Sequence, residues 1–425
     1  MRIAMLSVHT CPLATLGGKD TGGMNVYVRE LSRELGRRGI AVDVFTRSQD
    51  PHVPPIRWFG GNARAIHVPA GPEQPLDKKA LWRYMPDFAT QVRRIAAVDG
   101  LHYDLVHSHY WLSALVARDL RDGGWDAPIV HMFHTLAAMK EAVGHERGYR
   151  EDRRRLEAER EIVGSVDAIV AATPLDREQM IAHYQAPAER IHVVPPGVNL
   201  DLFRPIPLEE ARVHVGTPCE PCEESHVLLY VGRMDPLKGV DDLLRAMPYV
   251  IQDLPADWAC RTCLALVGGD AASSDESLRR EMARLETLKE ELGIEALATF
   301  LGRRDQDELP YYYSAADICI VPSYYESFGM VALESLACGT PVVASRVGGL
   351  TYIVEDGVNG FLVPQGAPTA FAHRVSQLLD DCQLRRQMGF YGMEMAKDYA
   401  WPRIADRILA LYETVSRPSP VPVRL

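Results

Sequence analysis

The chain has 425 residues, more than one hydrophobic core usually covers, so we expect two domains. Its 46 basic and 57 acidic residues give a net charge of −11, which excludes a global field for holding nucleic acid or an anionic membrane. No apolar run approaches the ~18 residues of a membrane span, and the opening stretch MRIAMLSVHT is too short for a signal peptide. We therefore expect a cytoplasmic protein without stable membrane insertion.

The first half of the chain alternates apolar runs with helical stretches. The apolar runs are RIAMLSV, AVDVFTR, LVHSH, PIVHMFHT, AIVAAT and IHVVPPG, and the first helix is predicted from Met24 to Arg38. This alternation is typical of a parallel sheet with crossover helices. The charged segment from His145 to Glu161 is interpreted as an exposed helix with ion pairs four residues apart.

A proline-rich polar stretch near residues 203–218 separates this series from a second one, which comprises VLLYVGR, CLALVGG, ATFLG, DICIVPS, PVVAS and GFLVP. The sequence thus predicts two doubly wound α/β domains, residues 1–203 and 204–400, with a helix at about 401–416 packing back on the first. In such sheets the ligand lies outside the carboxyl ends of the strands. We therefore expect the active site in a cleft between the domains.

Two features of the first domain point into this cleft. Gly22 and Gly23 directly precede the first helix, where a glycine pair lets a phosphate approach backbone amides, although glycines also begin many ordinary loops. The pattern G-x-G-x-x-G is missing, which counts against a dehydrogenase. In the run PIVHMFHT, His134 follows a strand and precedes Thr135, and its strand-end position favours the site over a place in the core.

In the second domain, the strand VLLYVGR and the turn MDPLKG place Arg233 and Lys238 at a carboxyl end. Two cations there suit a diphosphate, whereas ordinary surface solvation is the alternative.

The segment YESFGMVALE holds two carboxylates, Glu326 and Glu334, at either side of a predicted helix start near Phe328. Glu326 precedes the helix and could accept hydrogen bonds from sugar hydroxyls, or could simply be a favourable charge near the helix dipole. Glu334 lies nearly two turns inside among apolar neighbours, so we expect it to have a partner.

Seven segments in order resemble one known family: DTGGMNVYV, HSHYWLS, FHT, PPGVNLDLF, VGRMDPLKG, PSYYESFGMVALESLACGTPVVAS and GGLTYIVEDGVNGFLV. They resemble the family-four retaining glycosyltransferases of the GT-B fold, over nearly the entire chain. Within that family the resemblance is strongest to the branch that contains sucrose-phosphate synthases and the mycothiol-pathway inositol-phosphate glycosyltransferase.

The resemblance implies a nucleotide-sugar donor held by both domains, with these residues: Gly22, Gly23, Arg233, Lys238, Arg304, Glu326, Phe328, Gly329, Met330 and Glu334. Arg233 and Lys238 would bind the diphosphate, and Glu326 would hold hydroxyls of the transferred sugar. Glu334 would hold the ribose, so the two carboxylates would bind two sugars of one donor. His134 would lie close to the anomeric carbon, and Arg303 and Arg304 near the base.

The same resemblance implies an acceptor phosphate bound by Asn25, Lys78 or Lys79, Tyr110, Thr135 and Arg154, with Arg153 or Arg155 as alternatives to Arg154. We therefore expect transfer of glucose or GlcNAc to a phosphorylated sugar or polyol, such as fructose 6-phosphate or inositol phosphate. Front-face displacement would explain retention, and double displacement stays open. Neutral or lipid acceptors, phosphorylase or epimerase activity and a non-catalytic nucleotide-sugar-binding subunit are the alternatives. UDP, ADP and GDP are not distinguished.

Two C-x-x-C pairs stand outside the family pattern, Cys219 with Cys222 and Cys260 with Cys263. Each pair precedes a predicted strand, so neighbouring strands would bring four thiolates to one sheet edge, opposite the cleft, where they could bind a structural zinc ion. Coincidence or a disulfide is the alternative. The chemistry itself needs no cofactor, and a homo-oligomer is compatible with the sequence.

Overall fold

The computed structural model describes residues 1–15, 21–145, 149–216, 225–259, 261–270 and 275–416, and places them in two α/β domains. Each domain is built around a twisted sheet with helices on both faces, as the alternating pattern predicts. The expected pair of doubly wound domains is therefore confirmed.

The first sheet has the strand order β3-β4-β2-β1-β5-β6-β7-β8, and every neighbouring pair is parallel except β3 with β4. The strands are β1 (Arg2–Leu6), β2 (Ala41–Arg47), β3 (Ile56–Gly60), β4 (Ala63–Val68), β5 (Leu105–His109), β6 (Ile129–Met132), β7 (Ala168–Ala171) and β8 (Ile191–Val193).

The helices of this domain are α1 (Gly23–Arg37), α2 (Met85–Val98), α3 (Tyr110–Asp122), α4 (Ala137–Gly144), α5 (Arg153–Ser165) and α6 (Pro174–Tyr184). Side-chain caps start two of them: Asp152 accepts a hydrogen bond from Arg154 N, and Thr173 accepts one from Asp176 N. Short 3-10 turns lie at Leu81–Tyr84 and Ala188–Arg190.

The second sheet is parallel throughout, in the order β11-β10-β9-β12-β13-β14. Its strands are β9 (His226–Val231), β10 (Thr262–Val267), β11 (Ala298–Gly302), β12 (Ile318–Val321), β13 (Val342–Ser345) and β14 (Gly360–Val363). Its helices are α7 (Leu208–Val215), α8 (Val240–Asp253), α9 (Ala256–Ala259), α10 (Glu276–Glu291), α11 (Leu309–Ala315), α12 (Met330–Ala337), α13 (Leu350–Ile353), α14 (Pro368–Asp380) and α15 (Cys382–Ala396), and 3-10 turns lie at Pro236–Lys238 and Lys397–Tyr399.

Helix α12 begins two residues later than the sequence predicts. Gly329 immediately before it has φ 100°, a left-handed conformation that a helix interior cannot contain. Phe328 and Gly329 therefore belong to the turn between Glu326 and the helix.

The last described helix, α16 (Trp401–Ser416), returns to the first domain. The Trp401 ring packs edge-on against Tyr27, with 5.5 Å between ring centres, and the Tyr412 hydroxyl lies 2.7 Å from His107 Nδ1. No helix in the described ranges is both long and apolar enough to cross a membrane.

Candidate active site

A cavity of about 310 Å³ lies between the two sheets. Its walls are built from residues that follow the carboxyl ends of strands in both domains: His9 after β1, His134 after β6, Arg233 after β9, Gly268 after β10 and Ser323 after β12. This is the position in which doubly wound sheets bind their ligands.

The structure brings almost all sequence-predicted site residues to this cavity. Those that line it are Gly22, Gly23, Asn25, Lys78, Tyr110, His134, Thr135, Arg233, Lys238, Arg303, Arg304, Glu326, Phe328, Gly329, Met330 and Glu334. Arg154 does not line it. A Cβ atom on Gly23 would lie 3.2 Å from Met330 Sδ, so a glycine allows the two walls to approach here.

Lys238 and Glu326 form an ion pair on the second-domain wall, and each side chain is more than four-fifths buried. Ser323 Oγ donates a weaker hydrogen bond, 3.3 Å long, to the same Glu326 oxygen. Asp235 caps the turn that carries Lys238 by accepting a hydrogen bond from Leu237 N at 2.9 Å. The cavity wall thus presents an amino group and a carboxylate side by side in fixed positions.

The backbone at Glu326 is held by close contacts with the loop of Gly348 and Gly349. Gly349 N donates to Glu326 O at 2.9 Å, and a Cβ on Gly348 would lie only 1.8 Å from that oxygen. The glycine pair therefore allows this loop contact, which a larger residue would prevent.

Glu334 has the partner that its apolar surroundings require. Tyr313 Oη donates to its Oε2 at 3.1 Å, and Gln306 also bonds the carboxylate. Burial, against the opposing effect of these hydrogen bonds, raises the pKa of Glu334 to about 7. Arg29 of the first domain donates to Gln306, so this carboxylate is connected to the opposite wall.

His134, two residues after the end of β6, has left-handed backbone geometry with φ 61°. Its Nε2 atom is hydrogen-bonded to His109, and its ring stands edge-on to Tyr27 with 5.2 Å between centres. Burial, followed by the neighbouring histidines, holds the pKa of His134 well below its usual value. The ring is therefore neutral at neutral pH.

A cluster of cations and hydroxyls lines the first-domain wall, but its arginine is Arg155 and not Arg154. Arg155 is buried, and one guanidinium nitrogen donates to both Thr135 O (2.6 Å) and Thr135 Oγ1 (2.9 Å). Its guanidinium also lies 4.7 Å from the centre of the Tyr110 ring. Arg154 is exposed and stacks on Trp82 at 4.3 Å.

The positions of the residues around helix α5 explain why Arg155 is buried and Arg154 is exposed. Arg155 Nε donates to Glu159 at 2.7 Å, one turn on, and a second guanidinium nitrogen donates to Glu151 at 2.9 Å, one turn back. Residues four apart share one helix face, and here that face is buried. The charged segment is therefore not the fully exposed helix that its composition indicates. Although burial opposes its charge, Glu159 and Glu151 keep the pKa of Arg155 above its ordinary value.

Lys140 was missed by the sequence analysis. It lies on α4, six residues after His134, and lines the cavity next to Arg155. Burial, and then the charges of Arg155 and Arg233, lowers the pKa of Lys140 to about 7. It also lines a side chamber of about 40 Å³ with Arg233 and Glu326, so it is shared by both walls. The only sequence signal was a lysine on the helix that begins after the FHT motif.

Lys78 lines the cavity, whereas Lys79 is exposed. The loop before Lys78 is held by the buried Arg47, which donates to Pro72 O at 2.7 Å and to Gln74 O at 2.6 Å.

Asn25 lines the cavity, but its amide is engaged within the first domain. Its Nδ2 donates to Thr10 Oγ1 and Cys11 O, both at 2.7 Å, and its Oδ1 accepts from Gly22 N at 3.0 Å. The Asn25 side chain therefore holds the loop of Gly22, before α1, against the loop of Thr10 and Cys11, after β1.

The zinc hypothesis is not supported. Cys263 is disulfide-bonded, and Cys219, Cys222 and Cys260 lie outside the described residues. Within the described ranges, no group of three or more His, Cys, Asp or Glu side chains is arranged to hold a metal ion. The disulfide alternative accounts for Cys263.

Two family models match the chain. The model described as Glycosyltransferase Family 4 matches residues 21–202, and the one described as Glycosyl transferases group 1 matches residues 220–395. The D-inositol 3-phosphate glycosyltransferase of Geodermatophilus obscurus is 42% identical over 413 residues, which cover 97% of this chain and 89% of that protein. The protein of the same name from Corynebacterium diphtheriae is 39% identical over 415 residues, covering 97% and 94%.

Solved structures show the same architecture. Sucrose-phosphate synthase from Thermosynechococcus elongatus has a TM-score of 0.87 at 36% identity, covering 97% of this chain and 98% of that one. HepE of Anabaena in complex with UDP-glucose has a TM-score of 0.71 at 20% identity, covering 97% and 100%, a likeness that shows the fold alone.

Proposed function

Because the chain belongs to the family-four glycosyltransferases, we propose that it moves a hexose from a nucleotide sugar to a phosphorylated sugar or polyol, with retention at the anomeric carbon. The observation that carries the acceptor half is the cluster on the first-domain wall. Arg155, Lys140 and Lys78 converge there with the Thr135 and Tyr110 hydroxyls beside His134. Cations with hydroxyl donors are the groups that bind a phosphomonoester.

The charge of this cluster suits a doubly charged group. Arg155 is paired with Glu151 and Glu159, and Lys78 and Lys140 bring two further amino groups to the same wall. A phosphate carries about −1.5 to −2 charges at neutral pH. The names of the relatives, an inositol 3-phosphate glycosyltransferase and a sucrose-phosphate synthase, agree with this class of acceptor.

The second-domain wall is assigned to the donor. Arg233 and Lys238 would bind the diphosphate, Glu326 the hydroxyls of the transferred hexose, and Glu334 the ribose. In the short turn Phe328–Gly329–Met330, backbone amides at the start of α12 would approach the donor.

The proposed reaction is a front-face displacement. The bond between the anomeric carbon and the diphosphate oxygen breaks as the acceptor hydroxyl oxygen bonds to the same face of that carbon, and the departing oxygen takes the hydroxyl proton. Among the described residues that line the cavity, the carboxylates are Glu326 and Glu334. Lys238 holds the first and Tyr313 the second, both on the second-domain wall. This supports front-face over double displacement, which needs a free carboxylate behind the anomeric carbon.

The protein then acts mainly by electrostatic stabilisation of the leaving diphosphate, for which Arg233 and Lys238 are prepared. His134, being neutral, would contribute a hydrogen bond to the transferred sugar instead of a charge.

The test is an activity matrix of donors against acceptors. UDP-glucose, UDP-GlcNAc, ADP-glucose and GDP-mannose are crossed with fructose 6-phosphate, inositol phosphate and their unphosphorylated forms. We expect product only with a phosphorylated acceptor, and the productive pair names the substrates. Equal rates with phosphorylated and unphosphorylated acceptors would overturn the acceptor assignment and leave neutral or lipid acceptors.

A further inference from the structure

The backbone of Tyr325 lies in the second domain, whereas its side-chain hydroxyl bonds the first domain. It precedes Glu326 in the loop between β12 and α12, and only 8% of the residue is exposed. Its Oη accepts a hydrogen bond from Leu136 N of the first domain, 3.0 Å away. Asp176, Arg155 and Glu159, all of the first domain, are the charged groups around this hydroxyl.

The bond lies at the start of α4, where three consecutive amides need partners because the first turn of a helix leaves them unpaired. Leu136 N donates to Tyr325 Oη, Ala137 N to Glu159 Oε2 at 2.9 Å, and Ala138 N to Tyr184 Oη at 2.9 Å. Glu159 and Tyr184 belong to the same domain as α4. Tyr325 is the member of this set that arrives from the opposite domain.

The segment whose amides are paired in this way, from residue 134 to residue 140, carries much of the proposed acceptor site. His134 and Thr135 directly precede Leu136, and Lys140 lies on the helix itself. Thr135 is also held by Arg155, so the segment has fixed positions on both sides of the cross-domain bond.

We propose that Tyr325 is a positioning residue that couples the two half-sites: its hydroxyl completes the start of α4 when the domains are together, and so orders Thr135 and Lys140 beside the loop of Glu326. The coupling uses one hydrogen bond, because the amide of Leu136 is buried and has this oxygen as its partner. In a separated arrangement the same amide would be hydrated. Removing the hydroxyl therefore penalises only the joined arrangement.

The chain offers a matched control in the preceding residue. Tyr324 Oη donates to Asp242 of the second domain, so Tyr324→Phe removes from the same loop a tyrosine hydroxyl whose bond lies inside the second domain. Both variants keep the ring, and thermal unfolding of both reports whether either is grossly destabilised.

The first readout is hydrogen–deuterium exchange, followed in overlapping peptides that end on either side of Leu136, with UDP present and no acceptor. We expect Tyr325→Phe to speed exchange at the start of α4 about tenfold, the effect of leaving a buried amide without its partner. Tyr324→Phe should leave that segment unchanged. Equal exchange in wild type and Tyr325→Phe would overturn the proposal.

The second readout is kinetic. Tyr325→Phe should lower kcat and raise the acceptor KM together, with kcat/KM reduced about tenfold or more, as expected for a residue that acts through closure. Binding of UDP alone should change less than threefold, and Tyr324→Phe should retain wild-type kinetics within about twofold. A loss confined to UDP binding, or shared equally by both variants, would contradict the coupling.

The kinetic readout rests on the proposed function, but the exchange readout does not, since it needs no acceptor. Failure of the phosphorylated-acceptor assignment with intact exchange effects would leave the coupling standing. Loss of the exchange effect alone would remove the coupling and leave the acceptor assignment untouched.

Discussion

His109 Nδ1 lies 3.0 Å from His134 Nε2, directly behind the cleft wall that His134 lines. Burial, together with the nearby histidines His107 and His131, holds the pKa of both rings well below the ordinary value, so both are neutral and one donates to the other. The contact occupies one ring nitrogen of His134 and leaves Nδ1 as the other polar atom of that ring. His134 can thus orient a sugar but cannot serve as a cationic acid at neutral pH.

We therefore expect His134→Ala to lower kcat about 10- to 100-fold, the effect of losing an oriented hydrogen bond in the transition state. Because its pKa lies well below 6.5, lowering the pH from 8 to 6 should not titrate this residue in the wild-type enzyme. The measurement is the pH dependence of kcat for wild type and His134→Gln. An inflection near pH 6.5 that disappears in the variant would show a protonated His134 and contradict the neutral ring.

The buried histidines predict how stability depends on pH. Burial lowers the pKa of His107 and His131 to about 3, and that of His109 and His134 also lies well below 6.5. Below pH 6.5 the unfolded chain therefore binds protons that the folded chain does not, so stability falls as the pH falls. Each such histidine should cost about 1.4 kcal/mol per pH unit well below pH 6.5.

Urea unfolding at pH 7.5 and 5.5 measures this effect. His131→Asn should reduce the loss between the two pH values by about 1 kcal/mol, whatever its effect at one pH. His102, which is exposed, provides the control: His102→Asn should leave the pH dependence as in wild type. If the unfolding free energy of His131→Asn falls between pH 7.5 and 5.5 as much as that of wild type, His131 is protonated in the folded state.

Arg155 and Arg154 form a natural pair for testing the acceptor wall. Arg155→Met should raise the KM for the phosphorylated acceptor about 10- to 100-fold, because it releases Thr135 and leaves the charges of Glu151 and Glu159 uncompensated beside the acceptor. Arg154→Met, on the exposed face, should change it less than about threefold. Because Arg155 also neutralises Glu151 and Glu159, Arg155→Lys should be measured as well, with UDP binding as the check of folding. Similar changes of the acceptor KM in Arg155→Met and Arg154→Met would mean that Arg154 also contributes to acceptor binding.

Lys140 predicts a pH-dependent acceptor affinity. With a pKa of about 7 in the free enzyme, it is mostly neutral above pH 7, and binding a phosphate requires it to take up a proton. The acceptor KM should rise with pH, approaching about tenfold per unit between pH 7.5 and 9, where the phosphate is already doubly charged.

Two measurements check this sign. Calorimetric titration of the acceptor in buffers of different ionisation enthalpy should show proton uptake at pH 8, and Lys140→Met should abolish both the uptake and the rise in KM. Lys79→Met, at an exposed lysine, should preserve both. Proton uptake that persists in Lys140→Met would assign it to another group.

Lys238 is expected to affect the chemical step. Lys238→Met removes a cation from the leaving diphosphate and also frees Glu326 from its ion pair. We expect kcat to fall about 10²- to 10³-fold, the size of the loss when one preorganised donor is removed. Lys397→Met, at an exposed lysine far along the chain, should leave kcat unchanged. A variant at Lys238 that raises only the donor KM would place this lysine in binding alone.

The sequence predicts the site well where a residue follows a buried strand directly. Arg233 and His134 are examples, because the end of a strand determines their direction without reference to the rest of the fold. Arg154, by contrast, lies on the exposed face, because helix phase and not strand position decides which arginine is buried, although the spacing of Glu151, Arg155 and Glu159 already contained that phase. Lys140 could not be recognised from its neighbours, since its lowered pKa comes from burial and from the charges of Arg155 and Arg233, which are distant in the sequence. For the cysteine pairs, the local spacing is equally compatible with a metal and with a disulfide.

The return of α16 to the first domain has a consequence for how the protein is made. His107 and Tyr412, which share a buried hydrogen bond, are separated by 305 residues, so the ribosome needs about 15–60 s to synthesise the chain between them. During that time the apolar surface around Tyr27 that Trp401 will cover stays open. The second domain, synthesised later, has all its own strands and can be completed before the first. We therefore expect the first domain to receive its last helix only after the second domain has been synthesised.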